Sequence, residues 1–206
     1  ASEGKSTTCL NLAISMAETG NRVLLIDADM RRPSLGKLLI EKTSPGLSNV
    51  LAGLCDVMLA VRKNIRPNLD ILFSGEIPPN PLELLSSKTM EKMLEELKPL
   101  YDYIIVDTPP VTIVSDTCVI ASLVDGTLLL VRQHEAEKEG VSKAVKQLQM
   151  ANAKMLGFVL NGVVDGKGKA YKRKYKYSYK YKYSKETGEL ISKDLEARSA
   201  YMYFTS

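Results

Sequence analysis

The chain has 206 residues, with 45% hydrophobic and 25% charged, a composition that suits one globular α/β domain with a sizeable core. No apolar run approaches the roughly 20 residues of a membrane-spanning helix, and no secretory leader is visible. The net charge of +4 hides a split: residues 1–165 hold 17 Lys/Arg against 20 Asp/Glu, whereas residues 166–186 hold nine against one. Such asymmetry marks a tail with its own role.

In chain order, Lys5 to Thr19 reads as a helix with Leu10, Ala13, Ile14 and Ala17 on one face, stopped by Gly20-Asn21. Five short apolar runs follow, at Val23–Ile26, Leu69–Phe73, Tyr103–Val106, Thr127–Val131 and Met155–Leu160, as expected of strands buried on both faces. Helical patterns separate them at Met90–Leu97, Ser115–Leu123 and Glu135–Ala151. This alternation predicts a doubly wound, mostly parallel sheet with helices on both faces, over residues 1–165. The three cysteines, Cys9, Cys55 and Cys118, lack metal-ligand spacing and read as buried reduced thiols of a cytoplasmic protein. The single histidine, His134, reads as a loop residue.

Glu3-Gly4-Lys5-Ser6-Thr7 matches the end of a G-x-x-x-x-G-K-[ST] phosphate loop. Glycine lets the backbone wrap phosphates, the helix start offers unpaired N–H groups, Lys5 brings charge to the β- and γ-phosphates, and the Ser6 hydroxyl can ligate Mg²⁺. A strand normally precedes such a loop directly, so one strand is expected before Ala1, making this a P-loop domain whose first strand is missing. Asp107 ends an apolar strand at the edge where open α/β sheets bind ligands, and can hold Mg²⁺. Asp27 and Asp29 end another, and in extended chain residues two apart face one site. Pairing of Asp29 with Arg31 or Arg32 is the rival for that residue.

From Gly166 the composition changes. Tyr171, Tyr175, Tyr177, Tyr179, Tyr181 and Tyr183 alternate with lysines, without aliphatic residues larger than Ala170, up to Lys185. Charge without aliphatics does not repay ordering entropy, so residues 166–206 are expected to form a flexible tail. Its tyrosines are phosphate acceptors, or polyanion-binding platforms, or one face of a solubilising period-two strand. Leu190, Ile191 and Leu195 hint at a short helix beyond the cluster.

The motifs together resemble the bacterial tyrosine kinases of capsular and exopolysaccharide synthesis. The resemblance rests on Glu3–Thr8, Leu24–Pro33 with its Asp-Ala-Asp-Met-Arg-Arg-Pro, Gly75–Pro81, Ile104–Pro110, Phe158–Val163 and the tyrosine cluster. The phosphate-site motifs are shared with partition and division-site ATPases; the arginine-proline extension, Pro78-Pro79-Asn80-Pro81 and the tail set the kinases apart. Ser2 departs from the glycine common at its position. The resemblance implies an ATP- and Mg²⁺-dependent autokinase in which Lys5 binds phosphates, Ser6 the metal, and Asp27, Asp29 and Asp107 surround the cation. Asp27 is then the acceptor of the tyrosine proton, with Glu3 to Thr7 cradling the nucleotide. Implied partners are a membrane-embedded activator or polysaccharide co-polymerase, further copies in a ring, and a cognate phosphatase, but not nucleic acid. The protein would sit at the inner face of the membrane through its partner.

Overall fold

The computed structural model describes residues 4–133 and 135–163, together with the backbone of 182–183 and 190–191. The chain divides into two compact units at Val163/Val164.

Within the first unit, helix α1 (Lys5–Glu18) leads into β1 (Val23–Asp27). Four short helices and a hairpin come next: α2 (Leu35–Leu39), α3 (Leu47–Leu51), α4 (Val57–Ala60), β2 (Arg62–Arg66), β3 (Leu69–Leu72) and α5 (Pro81–Leu85). Then follow α6 (Lys88–Leu97), β4 (Tyr103–Asp107), α7 (Asp116–Leu123), β5 (Thr127–Arg132), α8 (Lys138–Met150) and β6 (Met155–Asn161).

Every residue of β1 is buried, because the strand lies mid-sheet and both of its faces are covered. Val23 and Leu25 pack with Leu10, Ala13 and Ala17 of α1. Leu24 and Ile26 face the other way, against α3, α4 and α6. The sheet order is β2-β3-β1-β4, with β1 parallel to both β3 and β4. That register sets Asp27 directly beside Asp107 at the C-terminal edge.

A separate parallel pair, β5–β6, completes the described strands of this unit. No ladder joins β4 to β5 among the described residues, yet α7 covers both, with Ile120 in the core over β1 and β4 and Ala121 in the cluster with Leu129 and Met155.

All five expected strands and four expected helices are present. Strand β2 is additional and antiparallel to β3, at the sheet edge. The cysteines are unpaired and only partly buried, each lying at the margin of a core cluster rather than inside it. His134 lies outside the described residues. Leu190 and Ile191 do not form a helix: they pair antiparallel with Lys182 and Tyr183, Tyr183 opposite Leu190. A backbone ladder takes those residues instead of a helical turn. Leu195, and the cluster from Tyr171 to Tyr181, lie outside the described residues.

The loop after β3 is pinned by backbone contacts: Leu47 donates to the Phe73 carbonyl at 2.7 Å and Ser48 to the Ser74 carbonyl at 2.9 Å. A methyl group on Gly46 would strike the Gly75 nitrogen and the Phe73 oxygen, which are backbone atoms unable to swing aside. Gly46→Ala is therefore expected to destabilise the fold by about 3 kcal/mol, a fall in Tm of about 6–12 °C in a thermal melt. A change under about 2 °C would show that the loop relaxes freely.

Candidate nucleotide site

Gly4 has φ of 88°, a left-handed conformation open to glycine, and it turns the chain into α1. Thr8 donates its N–H to the Gly4 carbonyl at 2.9 Å, which closes the first helical turn. Lys5, Ser6 and Thr7 thus occupy the helix start, where N–H groups have no intrahelical acceptor. They line a cavity of about 650 Å³ walled on one side by Asp29, Arg31, Arg32, Ser34 and Lys37, and on the other by Pro109, Pro110, Ile113 and Val114. Glu3 lies outside the described residues.

Beneath this cavity sit the two strand-end carboxylates. Asp27 is fully buried and Asp107 is 1% exposed. Burial raises Asp27 to about 7, helped by the Asp107 charge and opposed by the Asp29 N–H. Burial also raises Asp107, while its hydrogen bond with the Ser6 hydroxyl and the Lys5 charge pull it back. One oxygen of each carboxyl, Asp27 Oδ2 and Asp107 Oδ2, is buried with no hydrogen-bond partner. Two adjacent buried acids with orphaned oxygens make a site that favours a cation or a proton. The donor set suits Mg²⁺, which takes one or two carboxylates and a hydroxyl and fills its remaining positions with phosphate and water. Among the described residues no group of three or more His, Cys, Asp or Glu is arranged to hold a metal unaided. Ser6 and Asp107, with Asp27 beside them, would have to share the ion with phosphate.

Asp29 departs from the extended-chain expectation. Strand β1 stops at Asp27, and the Asp29 N–H folds back onto Asp27 Oδ1 at 3.2 Å. Its own carboxylate accepts the Arg32 N–H at 3.0 Å and lines the cavity, one layer above the buried pair. Arg31 does not pair with Asp29. Its guanidinium grips Asp116, 85 residues away, through Nε at 2.7 Å and Nη2 at 3.0 Å. The lone Cys9 thiol, 3.7 Å from Asp107 Oδ1, is held well above the ordinary thiol range by burial, so it stays protonated and inert.

Three participants escape a reading of the sequence. Ser34 donates its hydroxyl to Ser6 Oγ at 2.7 Å, and so orients the candidate metal ligand. Asn161, at the end of β6, stands so near the phosphate loop that a methyl on Gly4 would meet its Nδ2 at 2.5 Å. In the sequence Asn161 belongs to the Phe158–Val163 stretch that carries the resemblance, with no role attached to it. Asp116 is the third; the only local sign of it is an acid at a helix start.

A family model described as an AAA domain matches residues 2–157. The tyrosine-protein kinase YwqD of Bacillus subtilis is 42% identical over 160 residues, which cover 78% of this chain and 68% of that protein. The kinase domain of the Escherichia coli tyrosine kinase ETK superposes with a TM-score of 0.78 at 34% identity, covering 87% of this chain and 68% of that one. The cell division ATPase MinD of Pyrococcus furiosus shares the fold, with a TM-score of 0.67 at 24% identity over 80% of this chain and 70% of that one. A phosphate loop opening α1, paired acids at the sheet edge and kinase relatives along four-fifths of the chain agree: it belongs to the nucleotide-binding P-loop tyrosine-protein kinases of bacteria.

Proposed function

We propose that this protein uses Mg-ATP to phosphorylate the tyrosines of its own tail. The observation that supports this most directly is the pair of orphaned buried oxygens on Asp27 and Asp107 beneath Lys5 and Ser6. In the proposed reaction Lys5 neutralises the β- and γ-phosphates, and the backbone of Gly4 to Thr7 holds them at the helix start. A magnesium ion would be held by Ser6 and Asp107, with Asp27 adjacent, and would supply charge neutralisation at the phosphates. Asp27 takes the proton from the attacking tyrosine hydroxyl. The tyrosine oxygen forms a bond to the γ-phosphorus, the bond from that phosphorus to its bridging oxygen breaks, and ADP leaves with the electron pair. Burial, which raises the Asp27 carboxyl above the ordinary aspartate range, makes it a stronger base than an exposed aspartate. Asp29, at the cavity wall, would act through water on the magnesium ion.

Tyr171, Tyr175, Tyr177, Tyr179, Tyr181 and Tyr183 are the proposed acceptors. By random-coil statistics about 20 residues span roughly 25 Å, enough to reach the site of a neighbouring copy. Each phosphate adds about −1.5 to −2 charges, so roughly five would cancel the basic excess of residues 166–186. Phosphorylation would thereby loosen an assembly held by that charge. Such a cycle suits control of capsular or exopolysaccharide polymerisation and export, with a membrane-embedded activator, further copies in a ring and a phosphatase as partners. No helix among the described residues is long and apolar enough to cross a membrane. The proposed location is the inner membrane face, through that activator.

The test is intact-mass analysis of the full-length protein after incubation with Mg-ATP, with and without the cytoplasmic part of the activator. A series of phosphate additions mapping to Tyr171–Tyr183, absent when those six tyrosines are Phe, is expected. ATP turnover with no phosphotyrosine under either condition would replace the kinase with an ATPase switch.

A further inference from the structure

Two loops form the cavity walls, one leaving β1 and one leaving β4. The first is chained to itself: Asp27 Oδ1 accepts the Asp29 N–H, and Asp29 Oδ1 accepts the Arg32 N–H. The second is drawn together where the Thr117 hydroxyl donates to the Pro109 carbonyl. Between them, the side-chain link carrying full charge is Arg31 with Asp116. It is strongly one-sided: the Asp116 side chain is 1% exposed and that of Arg31 40%. A guanidinium so exposed would be hydrated without help, whereas a buried carboxylate needs a partner that satisfies both oxygens. Arg31 supplies both, Nε to Oδ2 and Nη2 to Oδ1. The bidentate fork fixes direction as well as distance, which a lysine ammonium does not. Arg31 lies two residues after Asp29, so whatever orients Arg31 also sets where the Asp29 turn sits over the buried acids.

We propose that Asp116 is a positioning residue for phosphoryl transfer: its grip on Arg31 sets the Asp27–Asp29 turn against the Pro109–Val114 wall. Arg31 then braces the site and leaves phosphate neutralisation to Lys5. Asp116 touches no reacting atom, and its removal mainly slows the chemical step. The inference rests on the kinase reading above.

The test uses the full-length protein, measuring tyrosine phosphorylation across ATP concentration alongside binding of a fluorescent ATP analogue. Asp116→Asn keeps the shape but turns one acceptor into a donor facing the guanidinium. It should lower kcat about 10–100-fold, with the KM for ATP and the analogue Kd within about three-fold of wild type. Arg31→Lys should do the same, and the double variant should be no slower than the slower single, because both remove one shared interaction. A role confined to folding would lower Tm and leave kcat per folded molecule unchanged. Retained kcat, a rate that falls in step with nucleotide affinity, or losses that multiply in the double variant would each overturn the proposal. Should Asp116→Asn not fold, Arg31→Lys decides it alone, since its altered side chain is half in solvent. If the wild-type protein turns over ATP without marking tyrosine, the kinase reading fails, and the same kcat comparison on hydrolysis still decides Asp116.

Discussion

Lys5→Met is expected to lower the initial rate of tyrosine phosphorylation about 1000-fold. Phosphoryl transfer asks little covalent chemistry of a protein; its barrier is set by positioning and by the charge that gathers on phosphate oxygens. Lys5 lines the cavity at the first turn of α1, where its charge adds to that of the helix start. It has a second effect through Asp107, whose carboxyl it pulls down against the upward push of burial. Methionine has similar length and no charge, so Asp107 should then hold its proton to higher pH. The residual activity of the variant should accordingly rise with pH over a range where the wild type has already levelled off. A pH–rate profile of both proteins reads the two effects together, and a rate within ten-fold of wild type would remove Lys5 from the phosphate site.

Asp27→Asn should change activity and stability in opposite directions. Loss of a positioned general base typically costs about 10²–10⁴-fold in rate, and that loss is expected here. Stability behaves differently. Burial raises Asp27 to about 7 from an unfolded value near 3.8, so between those pH values the folded protein binds a proton that the unfolded chain does not. Stability from this group is fully present below about pH 4 and is lost as pH rises through about 7. The shift corresponds to on the order of 4 kcal/mol at most. Asparagine carries no titrating group, so in thermal melts without nucleotide or metal the Tm difference between variant and wild type should grow in the variant's favour from pH 4.5 to 7.5. Mg-nucleotide should narrow the gap by stabilising the wild type more. A difference that stays flat with pH would mean that Asp27 is already ionised in the free protein. The site thus stores an electrostatic cost in the empty fold that a bound cation relieves.

How far the sequence could be read depended on how local each signal was. The strand Val23–Asp27 declared itself because burial on both faces demands an unbroken apolar run, and Tyr103–Asp107 carries the same kind of run although its first four residues are only half-buried. Arg62–Arg66 offers a single aliphatic residue and is a strand because it lies antiparallel along β3 at the sheet edge, which no local pattern announces. Helices α2 to α5 have four or five residues each, too few to show a 3.6-residue period. The placing of Lys5 and Ser6 at a helix start and of Asp27 and Asp107 at adjacent strand ends was legible because phosphate chemistry calls for such residue types at a loop and at strand exits. For Asp29 the extended-chain reasoning fails, because the strand stops at Asp27, although the residue still lines the cavity. The backbone instead turns at Ala28, and the second acid caps its own loop. Arg31 with Asp116 had no sequence signal, since a contact across 85 residues leaves none in a single chain.

Glycine is required at the mouth of the phosphate loop for two separate reasons. Its φ of 88° lies in the left-handed region, and a methyl there would meet Asn161 Nδ2 at 2.5 Å. Asn161 ends β6, so the last strand of this unit reaches back to the first turn of its first helix. A substitution in β6 that moved this side chain would be felt at the helix start proposed to hold phosphate. The end of the unit is thus a doorpost for its beginning.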